Sequence, residues 1–237
     1  MTDSTIVAMG GGGFSDEDAE TPLDDYVLQL ARVVRGRSRP RTCFLPTASG
    51  DADSYVAKFY DAFARRSEAS HISLFRRTVT ELERFVLDQD VIYVGGGNTA
   101  NMLAAWRVHG LHRILRRAWG DGIVLAGLSA GSICWFEGGT TDSFGGLDPL
   151  RDGLGFLAGS LSPHYDGETE RRPAYQRLVA SGELPPGYAA DDGAALVFRG
   201  NELLEVVAER AGARAYRVER GPDGTAIETP IETRFLG

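Results

Sequence analysis

Four short apolar runs each lead straight into glycine or other small residues. Ile6-Val-Ala-Met9 runs into Gly10–Gly13, and Thr42-Cys-Phe-Leu45 into Pro46–Gly50. Asp90-Val-Ile-Tyr-Val94 runs into Gly95-Gly-Gly-Asn98, and Gly122-Ile-Val-Leu-Ala126 into Gly127–Gly131. Runs of this length bounded by glycine read as buried strands. Helical patterns lie between them. Thr21-Pro22 has the chemistry of an N-cap and a first helical residue, and Leu23, Val27, Leu30, Ala31 and Val34 form an apolar stripe behind it. Asp53 to Arg66 repeats the pattern with Val56, Phe59, Tyr60 and Phe63 inward, and Thr99–Val108 and Leu111–Trp119 follow. His71-Ile-Ser-Leu-Phe75 adds a further strand. The alternation predicts an α/β fold, a mostly parallel sheet with helices on both faces. Sites in such sheets collect beyond the carboxyl ends of the strands, where all four small-residue segments fall.

Past Ser162-Pro163-His164 the spacing predicts a helix over Glu168–Val179. The pattern then turns strand-like at Ala194–Phe198, Leu203–Val207, Ala215–Val218 and Ala226–Ile231, with Gly221-Pro-Asp-Gly224 as a turn between the last two. No linker or repeat interrupts the chain, so one domain over residues 1–237 with a β-rich C-terminal segment is expected.

A net charge of -8 repels nucleic acid and anionic membrane, so neither is an expected partner. The single lysine, Lys58, stands among 25 basic residues that are interspersed with acids rather than blocked together. Cys43 and Cys134 both sit in apolar surroundings and read as buried free thiols of a reducing compartment. The run Ile6 to Met9 is too short for a signal peptide, and nothing approaches the ~18 apolar residues of a membrane span. A cytoplasmic location is expected.

The segment Gly127-Leu-Ser-Ala-Gly131 is a G-x-S-x-G pentapeptide between the fourth of those runs and a helix expected over Ala130–Phe136. That layout puts Ser129 on a sharp strand–helix bend with its hydroxyl projecting from the sheet edge. The first amides of the following helix point at whatever the serine attacks. A glycine-rich turn needing only a small residue has the same look. A serine nucleophile needs a base, and the base needs an acceptor to fix its tautomer. Of the four histidines, His71 opens a strand and His109 and His112 flank a helix break at Gly110. His164 follows the run Leu157–Leu161 and precedes the polar loop Tyr165-Asp166-Gly167, which makes it the candidate base. Candidate acids are Asp142, Asp166, Glu168, Asp191 and Asp192. Asp191-Asp192-Gly193 lies at a strand edge downstream of the base, though any tight turn uses the same residues.

Gly95-Gly-Gly-Asn98 offers bare amides between a strand and a helix, suited to an oxyanion or to a phosphate. It lacks the G-x-x-x-x-G-K-[ST] pattern and a nearby lysine, which argues against a nucleotide. Gly10–Gly13 has the wrong spacing for a dinucleotide fingerprint, and no His/Cys/Asp cluster has metal-ligand spacing. No cofactor or metal is expected.

Together these blocks resemble the peptidase E family of serine peptidases, whose best-known members are aspartyl dipeptidases. Cyanophycinases are more distant relatives, and the shared fold is similar to the class I glutamine amidotransferases and to flavodoxin-like sheets. The resemblance is sharpest at Val94-Gly-Gly-Gly-Asn-Thr99, Gly127-Leu-Ser-Ala-Gly131, Ser162-Pro-His164 and Gly167-Glu-Thr169. It implies Ser129 as nucleophile, His164 as base and Asp192 as acid, with Asp142 as the alternative third member. It implies oxyanion donors at Gly97 and Ala130, a short peptide as substrate, and a homodimer. Asn98, Glu170 and Arg171 are the substrate-binding candidates.

One departure stands out. Aspartyl-specific members carry arginine directly after Gly-Glu-Thr and a longer loop after the histidine. Here Glu170 takes that place, Arg171 follows, and the loop is short. An anion there repels a substrate carboxylate, so strict aspartyl preference is not expected. Adjacent helical residues point about 100° apart, so Arg171 is expected to face elsewhere, toward a peptide's C-terminal carboxylate. A carboxypeptidase, another amide hydrolase and a non-catalytic small-molecule binding module are the alternatives to a dipeptidase.

Overall fold

The computed structural model describes residues 4–15 and 21–237. Its first part alternates as β1 (Thr5–Met9), α1 (Pro22–Arg35), β2 (Arg41–Leu45), α2 (Asp53–Phe63), β3 (Glu68–His71), α3 (Leu82–Leu87), β4 (Val91–Val94), α4 (Thr99–His109), α5 (Leu111–Gly120), β5 (Val124–Leu128) and α6 (Ala130–Ile133). Then come β6 (Phe136–Thr141), β7 (Asp148–Leu150), β8 (Leu157–Ser162), α7 (Arg171–Ala180), β9 (Gly187–Ala190), β10 (Ala194–Arg199), β11 (Glu202–Ala208), β12 (Ala215–Arg220), β13 (Ala226–Pro230) and β14 (Thr233–Phe235).

Local chemistry sets the helix ends. Thr21 accepts the Asp24 N–H, Pro22 opens α1 where its missing N–H costs nothing, and Gly36 closes it at φ 68°. Asn98 caps α4 by accepting the Asn101 N–H at 2.9 Å.

The main sheet has strand order β14-β11-β10-β1-β5-β4-β2-β3. Strands β1, β5, β4, β2 and β3 run parallel, while β10 is antiparallel to both β1 and β11. Alternate residues feed opposite faces. Val7, Met9, Tyr93 and Ala126 pack under α1 and α2 with Phe44, Phe59 and Phe63. Ile6, Ala8, Ile92, Val94 and Leu125 pack on the other side with Met102, Trp106 and Leu115 of α4 and α5.

The β-rich segment divides between two sheets, which the sequence pattern did not predict. Strands β10 and β11 join the main sheet, whereas β12 and β13 belong to a second sheet of order β13-β12-β9-β8-β6-β7. Phe136 of β6 and Tyr188 of β9 meet Phe198 of β10 at centroid distances of 5.7 and 5.6 Å, so aromatic packing joins the sheets.

Two expected elements are displaced. The helix expected over Ala130–Phe136 stops at Ile133, and Phe136 opens β6. Gly138 and Gly139 there lie so close to neighbouring strands that a Cβ would fall 2.3 Å from Leu150 O and Leu161 O respectively. The strand expected over His71–Phe75 ends at His71 instead. Asp51 Oδ2 accepts from Ser73 Oγ at 2.6 Å and from the Phe75 N–H at 2.8 Å, which holds 73–75 as a loop. No helix among the described residues is long and apolar enough to cross a membrane.

Candidate active site

Three successive residues at the end of β1 hold three separate segments. Met9 O accepts the Ser129 N–H at 3.3 Å, Gly10 O the His164 N–H at 3.2 Å, and Gly11 O the Gly193 N–H at 3.1 Å. Gly11 also bridges to Asp192. The glycines let those backbones approach. A Cβ at Gly10 would fall 2.3 Å from Asp191 O, and one at Gly11 would fall 2.1 Å from Asp192 Oδ1 and 2.9 Å from the His164 ring. Phe14, just beyond, packs on Phe44, Phe59, Phe63 and Tyr93 and anchors the loop beneath the sheet.

Ser129 adopts φ 54°, ψ -118°, a conformation a side chain rarely takes. The flanking glycines are sterically required: a Cβ at Gly127 would sit 2.2 Å from Gly131 O, and one at Gly131 2.3 Å from Val94 O. This is the strained elbow that G-x-S-x-G implies.

His164 and Asp192 come from the second sheet. Strands β8 and β9 are parallel neighbours with Ser162 opposite Ala189, so the segments just past their ends run side by side. His164 Nδ1 lies 2.6 Å from Asp192 Oδ1. With Nδ1 facing a carboxylate, the ring carries its proton there and leaves Nε2 as the free nitrogen. That hydrogen bond holds the Asp192 carboxyl below its ordinary range, against the opposing effect of burial, and Arg210 and Arg171 add to the lowering. The Asp192 backbone is clamped as well. Its N–H donates to Asp166 Oδ1 at 2.9 Å, its carbonyl accepts from Arg210 Nε at 3.2 Å, and Arg210 pairs with Asp166. No hydrogen bond joins Ser129 Oγ to His164 among the described residues; such contacts are commonly long without substrate.

A cleft of about 240 Å³ opens beside Ser129, lined by Gly97, Asn98, Thr99, Ile133, Thr141, Asp142, Glu168 and Arg171. A larger groove of about 880 Å³ between α1, β11 and β14 contains none of these residues. The Gly97 and Ala130 amides have no hydrogen-bond partner among the described residues. At Gly97, φ is 132° and a Cβ would meet Ala48 O at 2.3 Å, so the strand–helix loop packs bare backbone against its neighbour. Asn98 lines the cleft, but its side chain caps α4 and donates to Ser143 O at 3.2 Å.

The other candidates fall as follows. Asp142 lines the cleft, and its carboxylate has no hydrogen-bond partner among the described residues. Asp191 is buried and accepts the Arg214 N–H at 3.0 Å, and burial raises its carboxyl pKa. His71 bonds Tyr60 OH, His109 bonds Arg77 and His112 bonds Trp106 O, all outside the cleft. No cluster of potential metal ligands occurs among the described residues.

The expected orientation of Glu170 and Arg171 is corrected. Glu170 is exposed at the N-cap of α7 and does not line the cleft, whereas Arg171 is buried and does. The helix phase is the reason. Arg171, Ala174, Tyr175 and Leu178 form the buried stripe of α7, so the first residue of that stripe is the one turned inward. The sequence also left unassigned the holding role of Met9, Gly10 and Gly11 and the Arg210–Asp166 clamp. The run of four glycines without a following helix was the one available signal.

Comparison with known proteins gives the family. Residues 6–206 match peptidase family S51. An uncharacterized peptidase of Bacillus subtilis (strain 168), YgaJ, is 52% identical over 233 residues, covering 98% of this chain and 99% of that protein. Peptidase E of Shewanella denitrificans is 31% identical over 213 residues, covering 84% and 87%. The crystal structure of a peptidase from an acI-B1 actinobacterium superposes with TM-score 0.73 at 17% identity, over 98% of this chain and 95% of that one. A putative peptidase E from Listeria monocytogenes EGD-e gives TM-score 0.60 at 19% identity, over 89% and 100%. A chain matched over this span, with a relative more than half identical over nearly its whole length, belongs to peptidase family S51 and is peptidase E-like.

Proposed function

We propose that this protein is a cytoplasmic serine peptidase that hydrolyses short peptides through an acyl-enzyme, with Ser129 as nucleophile, His164 as base and Asp192 as its orienting acid. The observation that supports it best is the end of β1, where consecutive carbonyls hold the Ser129 elbow, the His164 loop and the turn bearing Asp192. In the proposed reaction His164 Nε2 takes the hydroxyl proton as Ser129 Oγ attacks the peptide carbonyl. Asp192 keeps Nδ1 protonated and steadies the imidazolium. The unpaired Gly97 and Ala130 amides receive the oxyanion. The imidazolium then protonates the leaving amine, and water, activated by the same nitrogen, releases the acid from Ser129.

A non-catalytic binding module would not need a strained serine, since a residue in such a conformation costs on the order of 1–3 kcal/mol. A carboxypeptidase needs a cation free to receive the peptide's C-terminus, and each guanidinium nitrogen of Arg171 already has an acceptor. Labelling with a serine-directed fluorophosphonate tests the assignment. One adduct on the peptide containing Ser129, absent in Ser129→Ala and strongly slowed in His164→Ala, is expected. Wild-type protein that takes no label, or takes it elsewhere, contradicts the assignment.

A further inference from the structure

The cleft beside Ser129 holds three charged side chains, and their pairing decides what it receives. Arg171 is buried, with 3% of its surface exposed. Its Nε and Nη2 donate to Glu168 Oε2 at 2.9 and 2.6 Å, and its Nη1 donates to Thr140 O at 3.1 Å. A guanidinium held this way cannot turn its fork to a substrate carboxylate without breaking a part-buried, charge-assisted pair.

Glu168 is placed differently. Its backbone N–H donates to His164 O at 3.1 Å, so the loop bearing the base fixes its position. Its side chain is 47% exposed, and Oε1 has no hydrogen-bond partner among the described residues. Asp142, exposed and equally unpaired, lines the same cleft. Two carboxylates and one guanidinium therefore line the cleft, and Glu168 already neutralises the guanidinium. A cavity of about 240 Å³ is small for a ligand site and has room for little more than one residue of a peptide. A carboxylate on that residue meets net negative charge, whereas a cation meets Glu168 Oε1 and the Asp142 carboxylate, neither of which has a hydrogen-bond partner among the described residues.

We propose that Glu168 sets the charge preference of the cleft: by holding Arg171 and adding its free oxygen to Asp142, it selects short peptides bearing an ammonium or guanidinium group on the residue seated there and rejects a carboxylate. This rests on the serine-peptidase reading, and the test separates the two. It compares kcat/KM for Lys-Leu, Ala-Leu and Asp-Leu, and for Leu-Lys, Leu-Ala and Leu-Asp. The enzymes are wild type, Glu168→Gln and Asp142→Asn, with Ser129→Ala as the blank.

In one of the two series the wild type favours Lys over Asp by about tenfold or more, the scale of one ion pair in a partly screened cleft. Glu168→Gln leaves Arg171 unneutralised and lowers the Lys/Asp ratio by about tenfold or more, and Asp142→Asn lowers it by a smaller factor. A wild type that cleaves Asp peptides as well as Lys peptides in both series overturns the proposal. So does a Glu168→Gln enzyme with the wild-type ratio. Should Glu168→Gln fail to fold, an unchanged ratio in Asp142→Asn overturns it equally. Failure of the underlying reading looks different: wild-type turnover of Ala-Leu and Leu-Ala would not exceed that of Ser129→Ala.

Discussion

His164 Nδ1 lies 2.6 Å from Asp192 Oδ1, and the contact occupies the space that a methyl group at Gly11 would need. Gly11 is not in a left-handed conformation, so Gly11→Ala acts through sterics rather than backbone strain. Its Cβ would press on Asp192 Oδ1 and on the imidazole together. A displacement near 1 Å at a reacting group costs on the order of 10²-fold in rate. Gly11→Ala is expected to lower kcat by about that factor while the fold persists, as read by steady-state kinetics beside a thermal melt. Wild-type kcat in a folded Gly11→Ala protein contradicts the account.

The Ser129 conformation makes a stability prediction. At φ 54° and ψ -118°, a residue with a Cβ is strained by roughly 1–3 kcal/mol, whereas glycine is not. Glycine's larger unfolded-state entropy offsets about 0.4–1 kcal/mol of the relief. Ser129→Gly is therefore expected to melt about 2–4 °C above Ser129→Ala, both being inactive. Equal or reversed melting temperatures would show that the bend stores no more strain than glycine's unfolded-state entropy offsets.

Asp192 and Asp142 separate cleanly by substitution. Asp192→Asn can hold the wrong imidazole tautomer and is expected to lose about 10⁴-fold in kcat. Asp142 makes no hydrogen bond to His164, so Asp142→Asn is expected to cost far less on a neutral peptide such as Ala-Leu. Kinetics of the two variants side by side decide the matter; a large loss at Asp142 with a mild one at Asp192 would reverse the assignment.

Asp24 gives a pH dependence. It is fully buried at the start of α1, accepts Tyr93 OH at 3.0 Å, and leaves Oδ2 without a partner. Burial pushes its carboxyl up from 3.8 to about 7. The folded state thus holds the proton more tightly than the unfolded chain, so stability falls as pH rises from the unfolded value to the folded one and stays lowered above it. Asp24→Asn lacks this effect. Urea denaturation at pH 4 and pH 8 should show the variant gaining on wild type at the higher pH, by on the order of a few kcal/mol. Parallel pH curves would mean that Asp24 ionises freely.

The parts of the site built from local backbone rules were legible in the sequence. Gly127 is demanded by a contact within one strand–helix turn, and Asn98 caps the helix it precedes. What depended on neighbours distant along the chain was not legible. His164 meets Asp192 because β8 and β9 pair in parallel; a spacing of 28 residues does not encode that pairing, and only the family resemblance pointed to it. Glu68–His71 forms the edge strand although it is polar, while the more apolar 72–75 is held away by Asp51. Arg171 misled because a charged residue opens the buried stripe of α7, where its charge is met by Glu168 and Thr140 rather than by water.

The central claim, that Ser129 attacks the peptide bond, is tested most directly by turnover of a dipeptide library by wild type and Ser129→Ala at equal folded concentration. Removing one oxygen from the elbow leaves the packing intact, so the two proteins should share their fold by circular dichroism. The account predicts a loss on the order of 10⁴- to 10⁶-fold for every dipeptide the wild type cleaves. Ser129→Ala turning over those dipeptides at the wild-type rate would contradict it.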